Sequence, residues 1–413
     1  MKKFFRFSLL LAAAALVFSC GKYDPIAPAD PDRGFTARGG LYAVMEGNFY
    51  ASGNGALLYL GGSVASLPTS QPPFADAYAA ANPGHTAGAL LEDIFFEGDK
   101  LYMLCQKGGR IGGDGQLVVA DAATFKMLRV YADLGLGADN NPEHLVVANG
   151  KAFIQYAVSD YETQSGIRVV DLASGTPAAQ DIAGTFGDFT VDGATKCRML
   201  LSRGRIFAPC GQKLVIINAV DASPLRTVTF PGRQVKDIVK GFDGSLYAIV
   251  SGTSAPAPGQ WDPPVLTSPA SVVRLDHDGN ILSEKKLPAD CVVSAASWSP
   301  NTGLCASPSS GQLFFFGENL VSKFYRYDTA TGVVATIDLA ALGVAETTGG
   351  YMCVDPVSGT LVVPVSSYTA TTFALIDPAT LALRAYNASA TTPVFSCAGV
   401  DCSYRFKPSE IAR

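Results

Sequence analysis

The 413-residue sequence predicts an all-β fold, a seven-bladed β-propeller whose C-terminal strand closes the first blade, and three observations carry that prediction. Strand-ending Asp or Asn residues recur at intervals near 50, a glycine turn recurs about midway between them, and no stretch from Arg33 to Arg413 has sustained helical periodicity. A unit of that length with two hairpins is a four-stranded blade.

The first punctuation is Asp121, Asp171, Asn218, Asp276, Asp328 and Asp377, spaced 50, 47, 58, 52 and 49 residues apart. Each stops an apolar, alternating strand, where a short side chain can bond the backbone two residues on. "ALLYLGG" is a weaker seventh copy. The second punctuation is "RGGLYAVMEG", "EGDKLYMLC", "NGKAFIQY", "RGRIFAPC", "FDGSLYAIV", "SSGQLFFF" and "VSGTLVVPV", each a glycine turn before an aromatic or β-branched strand. The first unit lacks an innermost strand and the chain ends on the strand candidate "DCSYRFK", so that last strand is expected to complete blade 1 and close the ring.

Before the repeats, Lys2, Lys3 and Arg6 precede the apolar run Leu9 to Phe18 and then Ser19 and Cys20. This pattern predicts a signal peptide over 1–19, lipidation at Cys20 and a Pro-rich tether over 20–37, with the propeller occupying 38–413. Loss of three basic residues with the signal takes the formal net charge from −5 to −8, which argues against a nucleic-acid partner. The expected body contacts the membrane through its lipid anchor only.

Eight further cysteines in an exported chain make disulfides an expectation. Cys197 and Cys210 fall opposite each other about the Arg203-Gly204 turn, and Cys397 with Cys402 is a second local pair. Cys105, Cys291, Cys305 and Cys353 have no determined pairing. With three histidines and no CxxC, no metal site is expected. Catalytic signatures are likewise lacking, and neither an enzyme nor a cofactor is expected.

Turns between the first and second, and third and fourth, strands of each unit are short, whereas the loops on the opposite rim are long. They include "NFYASGNG", "QKGGRIGGDGQ", "AVSDYETQSG" and "SGTSAPAPGQWDPPVLTSPA". Long loops on a rigid scaffold are where binding resides, which nominates this rim and its Phe49, Tyr50, Gln106, Arg110, Tyr161 and Trp261. Counting back six residues from each inner glycine places Glu92, His144, Arg198, Ile238, Cys305 and Cys353 at the mouth of the channel. That mixture suits a polar ligand better than catalysis.

"LYAVMEGNF", "FFEGDKLYMLCQ", "VVADAATFKMLRV" and "PEHLVVANGKAFIQY" resemble the YncE-like seven-bladed propeller lipoproteins of gut Gram-negative anaerobes. The resemblance implies an outer-membrane lipoprotein, at the cell surface, that captures a nutrient such as cobalamin or another corrinoid and passes it to a TonB-dependent transporter. It also carries Glu46, Gly47 and Asn48 of "MEGN" into the ligand-binding set. A protein- or glycan-binding adhesin is the alternative reading, and a propeller-type hydrolase or lyase is a third.

Overall fold

The computed structural model describes residues 34 to 402 apart from 37–39, 48–53, 61–63, 65–75, 109–111, 159–163, 256–264, 294–301, 318–321, 346, 348–349, 356, 367–369, 387–391 and 394–395. Seven antiparallel sheets follow one another along the chain as the seven blades of a propeller. Blade 2 shows the plan: Leu91–Glu97 innermost, then Lys100–Cys105, Leu117–Asp121 and Met127–Tyr131 at the outer edge. Innermost strands of blades 3 to 7 are Asn140–Ala148, Leu200–Ser202, Val235–Lys240, Cys305–Ala306 and Cys353–Val354.

Closure runs as the repeat grammar predicts. The C-terminal strand Ser396–Cys402 pairs with Leu41–Gly47 and becomes the innermost strand of blade 1. It begins five residues before the expected "DCSYRFK", and tight pairing between chain ends removes an open sheet edge from the ring. Outside the repeat, a five-residue helix, Ala77–Ala81, follows Asp76, whose Oδ1 accepts from the amides of Tyr78 and Ala79.

Apolar side chains from facing blades fill the space between sheets. One such layer joins Leu104, Leu117 and Val119 of blade 2 to Leu145, Val147 and Ile154 of blade 3. Among the nominated mouth residues, Ile238, Cys305 and Cys353 belong to layers of this kind and not to the channel. Fully packed seams of this type hold blades at fixed distances, so the inner strands form a rigid ring.

Both expected disulfides are corrected. Pairing in blade 4 does follow the predicted register, Leu200 with Phe207 and Ser202 with Arg205. Beyond Leu200, however, extra residues leave the ladder: the Thr195 amide donates to Pro209 O at 2.8 Å, so Thr195 takes the place expected for Arg198 and Cys197 is carried out of register with Cys210. Cys197 and Cys210 are buried free thiols. Cys397 and Cys402 lie five residues apart on one strand, roughly 16 Å at the usual rise and far beyond bridging distance. Cys105, Cys291 and Cys397 are also free and buried, and Cys305 and Cys353 are buried.

Candidate functional site

Each inner strand runs from the loop-rich rim toward its glycine turn, so residues at its start surround the mouth of the channel. One residue from every blade meets there: Gly399, Asp93, His144, Arg198, Asp237, Thr302 and Tyr351, from blades 1 to 7 in order. Asp93 Oδ2 lies 3.2 Å from His144 Nδ1, and its Oδ1 accepts from Arg198 Nε at 3.1 Å. The Arg198 guanidinium stacks 4.2 Å from the Tyr351 ring centre, and the Tyr351 hydroxyl donates to Asp237 Oδ1 at 2.9 Å. Thr302 donates to Asp237 Oδ2 through its amide at 2.7 Å and its hydroxyl at 2.9 Å. Because these contacts join blades 2 to 4, 4 to 7 and 7 to 5, the side chains of Arg198 and Tyr351 span the axis and make a floor.

Glycine completes the ring in blade 1 for a steric reason. A Cβ on Gly399 would lie 2.7 Å from Tyr351 Cβ, and Tyr351 pairs there through its amide to Ala398 O at 3.0 Å. Burial would by itself raise the pKa of Asp93, but Arg198, His144 and the Leu145 amide outweigh it and hold the carboxyl below its usual range. Asp237 shifts the other way: desolvation raises it, only partly offset by Thr302 and Tyr351. Tyr351 is pushed far up by burial and by the neighbouring Asp237.

One residue nearer the loop rim, the ring is polarised. In blades 2, 3 and 5 a β-bulge inserts Glu92, Glu143 and Lys236 just before the floor residue. Glu92 is raised well above the ordinary carboxylate range by burial, then by the nearby Glu46 and Glu143. Lys196 of blade 4 lies 3.6 Å from Glu143. Acidic groups therefore crowd the side formed by blades 1 to 3, and Lys196, Arg198 and Lys236 occupy blades 4 and 5.

Of the predicted ligand-binding residues, Glu46, Glu92, Gln106, His144 and Arg198 come together on this rim. Gln106 is buried, its amide donating to Leu90 O at 2.8 Å. Asn48, Phe49, Tyr50, Arg110, Tyr161 and Trp261 lie outside the described residues, as does Cys20. The segment bearing Trp261 joins Leu246–Val250 to Ser271–Leu275, which puts its ends on the loop-rich rim.

Asp93, Asp237, Thr302 and Tyr351 were missed because uneven turns place them five, seven, nine and eight residues before their glycines instead of six. A signal existed: Glu92-Asp93, Glu143-His144 and Lys236-Asp237 are adjacent polar pairs opening an apolar strand, where simple alternation allows one.

Fold and site thus define a seven-bladed propeller with a polar, floored mouth on its loop-rich rim. The chain belongs to the family described as "Domain of unknown function (DUF5074)", whose model matches residues 39–409. No curated protein matches it. Among solved structures it is similar to a candidate 6-phosphogluconolactonase from Bacteroides uniformis ATCC 8492, with 11% identity and a TM-score of 0.50 over 88% of this chain and 99% of that one. It is also similar to Kuenenia stuttgartiensis hydrazine synthase, with 16% identity and a TM-score of 0.46 over 71% and 80%. At these identities the likeness to the first structure is one of fold alone, and the second carries no argument.

Proposed function

We propose that this protein is a lipid-tethered, non-enzymatic capture protein that holds a small polar ligand at the loop-rich mouth and passes it to a TonB-dependent outer-membrane transporter. The observation that carries the reading is the floor itself. Its carboxylates are saturated by fixed donors: Asp93 accepts from His144, Arg198 and the amides of Ile94 and Leu145, and Asp237 from Thr302 and Tyr351. Groups so engaged are poor proton shuttles but good preorganised walls, since a ligand meets them without reorganisation. The acidic side favours a ligand bearing amide or amine N–H donors, which accords with a corrinoid and its amide side chains.

Calorimetric titration of the purified protein with cobalamin and with cobinamide tests the reading. Saturable heat at micromolar protein, weakened by Arg198→Ala, is the expected outcome. Absence of heat with both compounds removes the corrinoid reading. Binding to immobilised glycan or protein instead would favour the adhesin.

A further inference from the structure

Among the described residues, buried side-chain polar atoms without a hydrogen-bond partner concentrate on the loop-rich rim. They include Gln106 Oε1 in blade 2, Gln155 Oε1 in blade 3, and both amide atoms of Gln234 with Lys236 Nζ in blade 5. All sit where inner strands begin or second strands end: Gln155 lies opposite His144, and Gln234 pairs with Ser251 through 2.8 and 2.9 Å contacts. Native interiors satisfy nearly all such groups, so several on one rim mark a place where polar atoms await something from outside.

Lys236 is the sharpest case. Its side chain is among the largest fully buried ones, at 2% exposure, yet its ammonium has no hydrogen-bond acceptor among the described residues. The adjacent Asp237 carboxylate accepts from Tyr351 and Thr302 in the floor and makes no hydrogen bond to the lysine, on which it acts only through its charge. Cys197 of blade 4 is the other group that acts on Lys236, which places the ammonium at the seam of blades 4 and 5, beside Lys196 and Arg198 along the chain. An unpaired buried ammonium is costly, and an aliphatic side chain of the same length would fill the space at less cost. Burial has pushed its pKa down to about 8, so near neutral pH the group is still largely charged.

Resting on the capture reading above, we infer that Lys236, with the likewise unpartnered amide of Gln234 two residues before it in the chain, is a subsite for an oxyanion of the ligand, a carboxylate or a phosphate group. The bulge that inserts Lys236 before Asp237 is what supplies it, and the crowding of Glu46, Glu92 and Glu143 in blades 1 to 3 directs the anionic end of a ligand toward blades 4 and 5. The ligand is therefore dipolar, with N–H donors on one side and an oxyanion on the other.

The test is thermal unfolding of the full chain in mild detergent, titrated with inorganic phosphate and separately with acetate, each against chloride at matched ionic strength. Wild type should show a saturable rise in midpoint with at least one oxyanion; acetate alone points to a carboxylate ligand and phosphate alone to a phosphate ester. Lys236→Met should fold and raise the apparent dissociation constant about tenfold or more, the loss of one charge-assisted contact, and Lys236→Arg should retain part of the response. No saturable rise with either anion, or an equal rise in Lys236→Met, overturns the subsite. Corrinoid heat that persists unchanged in Lys236→Met without any oxyanion response sinks the subsite and leaves capture standing. An oxyanion response without corrinoid heat does the reverse.

Discussion

The two rims of this propeller solve the same polar problem in opposite ways. On the trimmed rim each strand-ending acid closes on its own turn. Asp121, Asp171, Asp328 and Asp377 accept from backbone amides two and three residues ahead, at 2.8 to 3.2 Å. Arginines then stitch a turn to the previous blade, as Arg326 does to Pro378 and Ala379. On the loop-rich rim the partners are far apart in sequence: Asp93 to Arg198 spans 105 residues, and Arg198 to Tyr351 spans 153. Local contacts make a rim that any blade can repeat, whereas long-range ones make a site that exists only once the ring has closed.

The largest expected consequence is in stability. Asp93→Ala leaves the Arg198 guanidinium and His144 facing a buried gap, and breaking such an arrangement from one side costs about 3–5 kcal/mol. Asp377→Ala on the trimmed rim removes two turn bonds and the Arg384 contact at 2.6 Å, all near the surface, for about 1 kcal/mol. Urea denaturation at pH 7 checks both. Equal losses would mean that the floor is no more cooperative than a turn.

A second contrast lies in pH. Lys236 has its folded pKa depressed to about 8 against an unfolded value near 10.4, so the folded state carries a penalty that is complete below pH 8 and gone above pH 10.4. Lys236→Met should therefore gain about 3 kcal/mol at pH 7, with the gain fading between pH 8 and 10.4. The turn acids Asp276 and Asp328 have folded pKa values lowered, by Asn280 and by the Thr331 amide respectively. Their contribution is present above the unfolded value near 3.9 and is lost as pH falls below it. Stability profiles of wild type, Lys236→Met and Asp328→Asn should separate the alkaline effect from the acid one. A gain in Lys236→Met that is flat from pH 7 to 11 would show that the lysine is not the group titrating.

This division also explains what could be read from the sequence. Turn acids and inner glycines announce themselves within three residues, so blade count, blade boundaries and closure by the C-terminal strand were accessible. His144 and Arg198 were reached because in blades 3 and 4 the glycine sits second in a two-residue turn, six residues after the floor residue. Asp93, Asp237, Thr302 and Tyr351 were not, because the inner glycine sits at a different place in each of their turns, so a fixed count of six lands one to three residues away. Lys236 was hidden more deeply: a charged residue at a strand start reads as solvated, and only its burial beside an already saturated Asp237 makes it notable.

The smallest expected effect concerns the thiols. The hairpin arithmetic that set Cys197 against Cys210 assumed an unbroken ladder, and the loop-rich rim is where ladders break. All seven described thiols are buried, and burial raises the pKa of Cys197 and, to about 12, that of Cys210. Native protein should thus resist iodoacetamide at these seven positions and become reactive there only on denaturation. Adding reductant should leave the unfolding midpoint where it was. A disulfide of ordinary worth stabilises by about 2–4 kcal/mol, so a clear drop in midpoint on reduction, reproduced by Cys197→Ser, would restore the bridge and require the Thr195–Arg198 segment to lie flat against its partner strand.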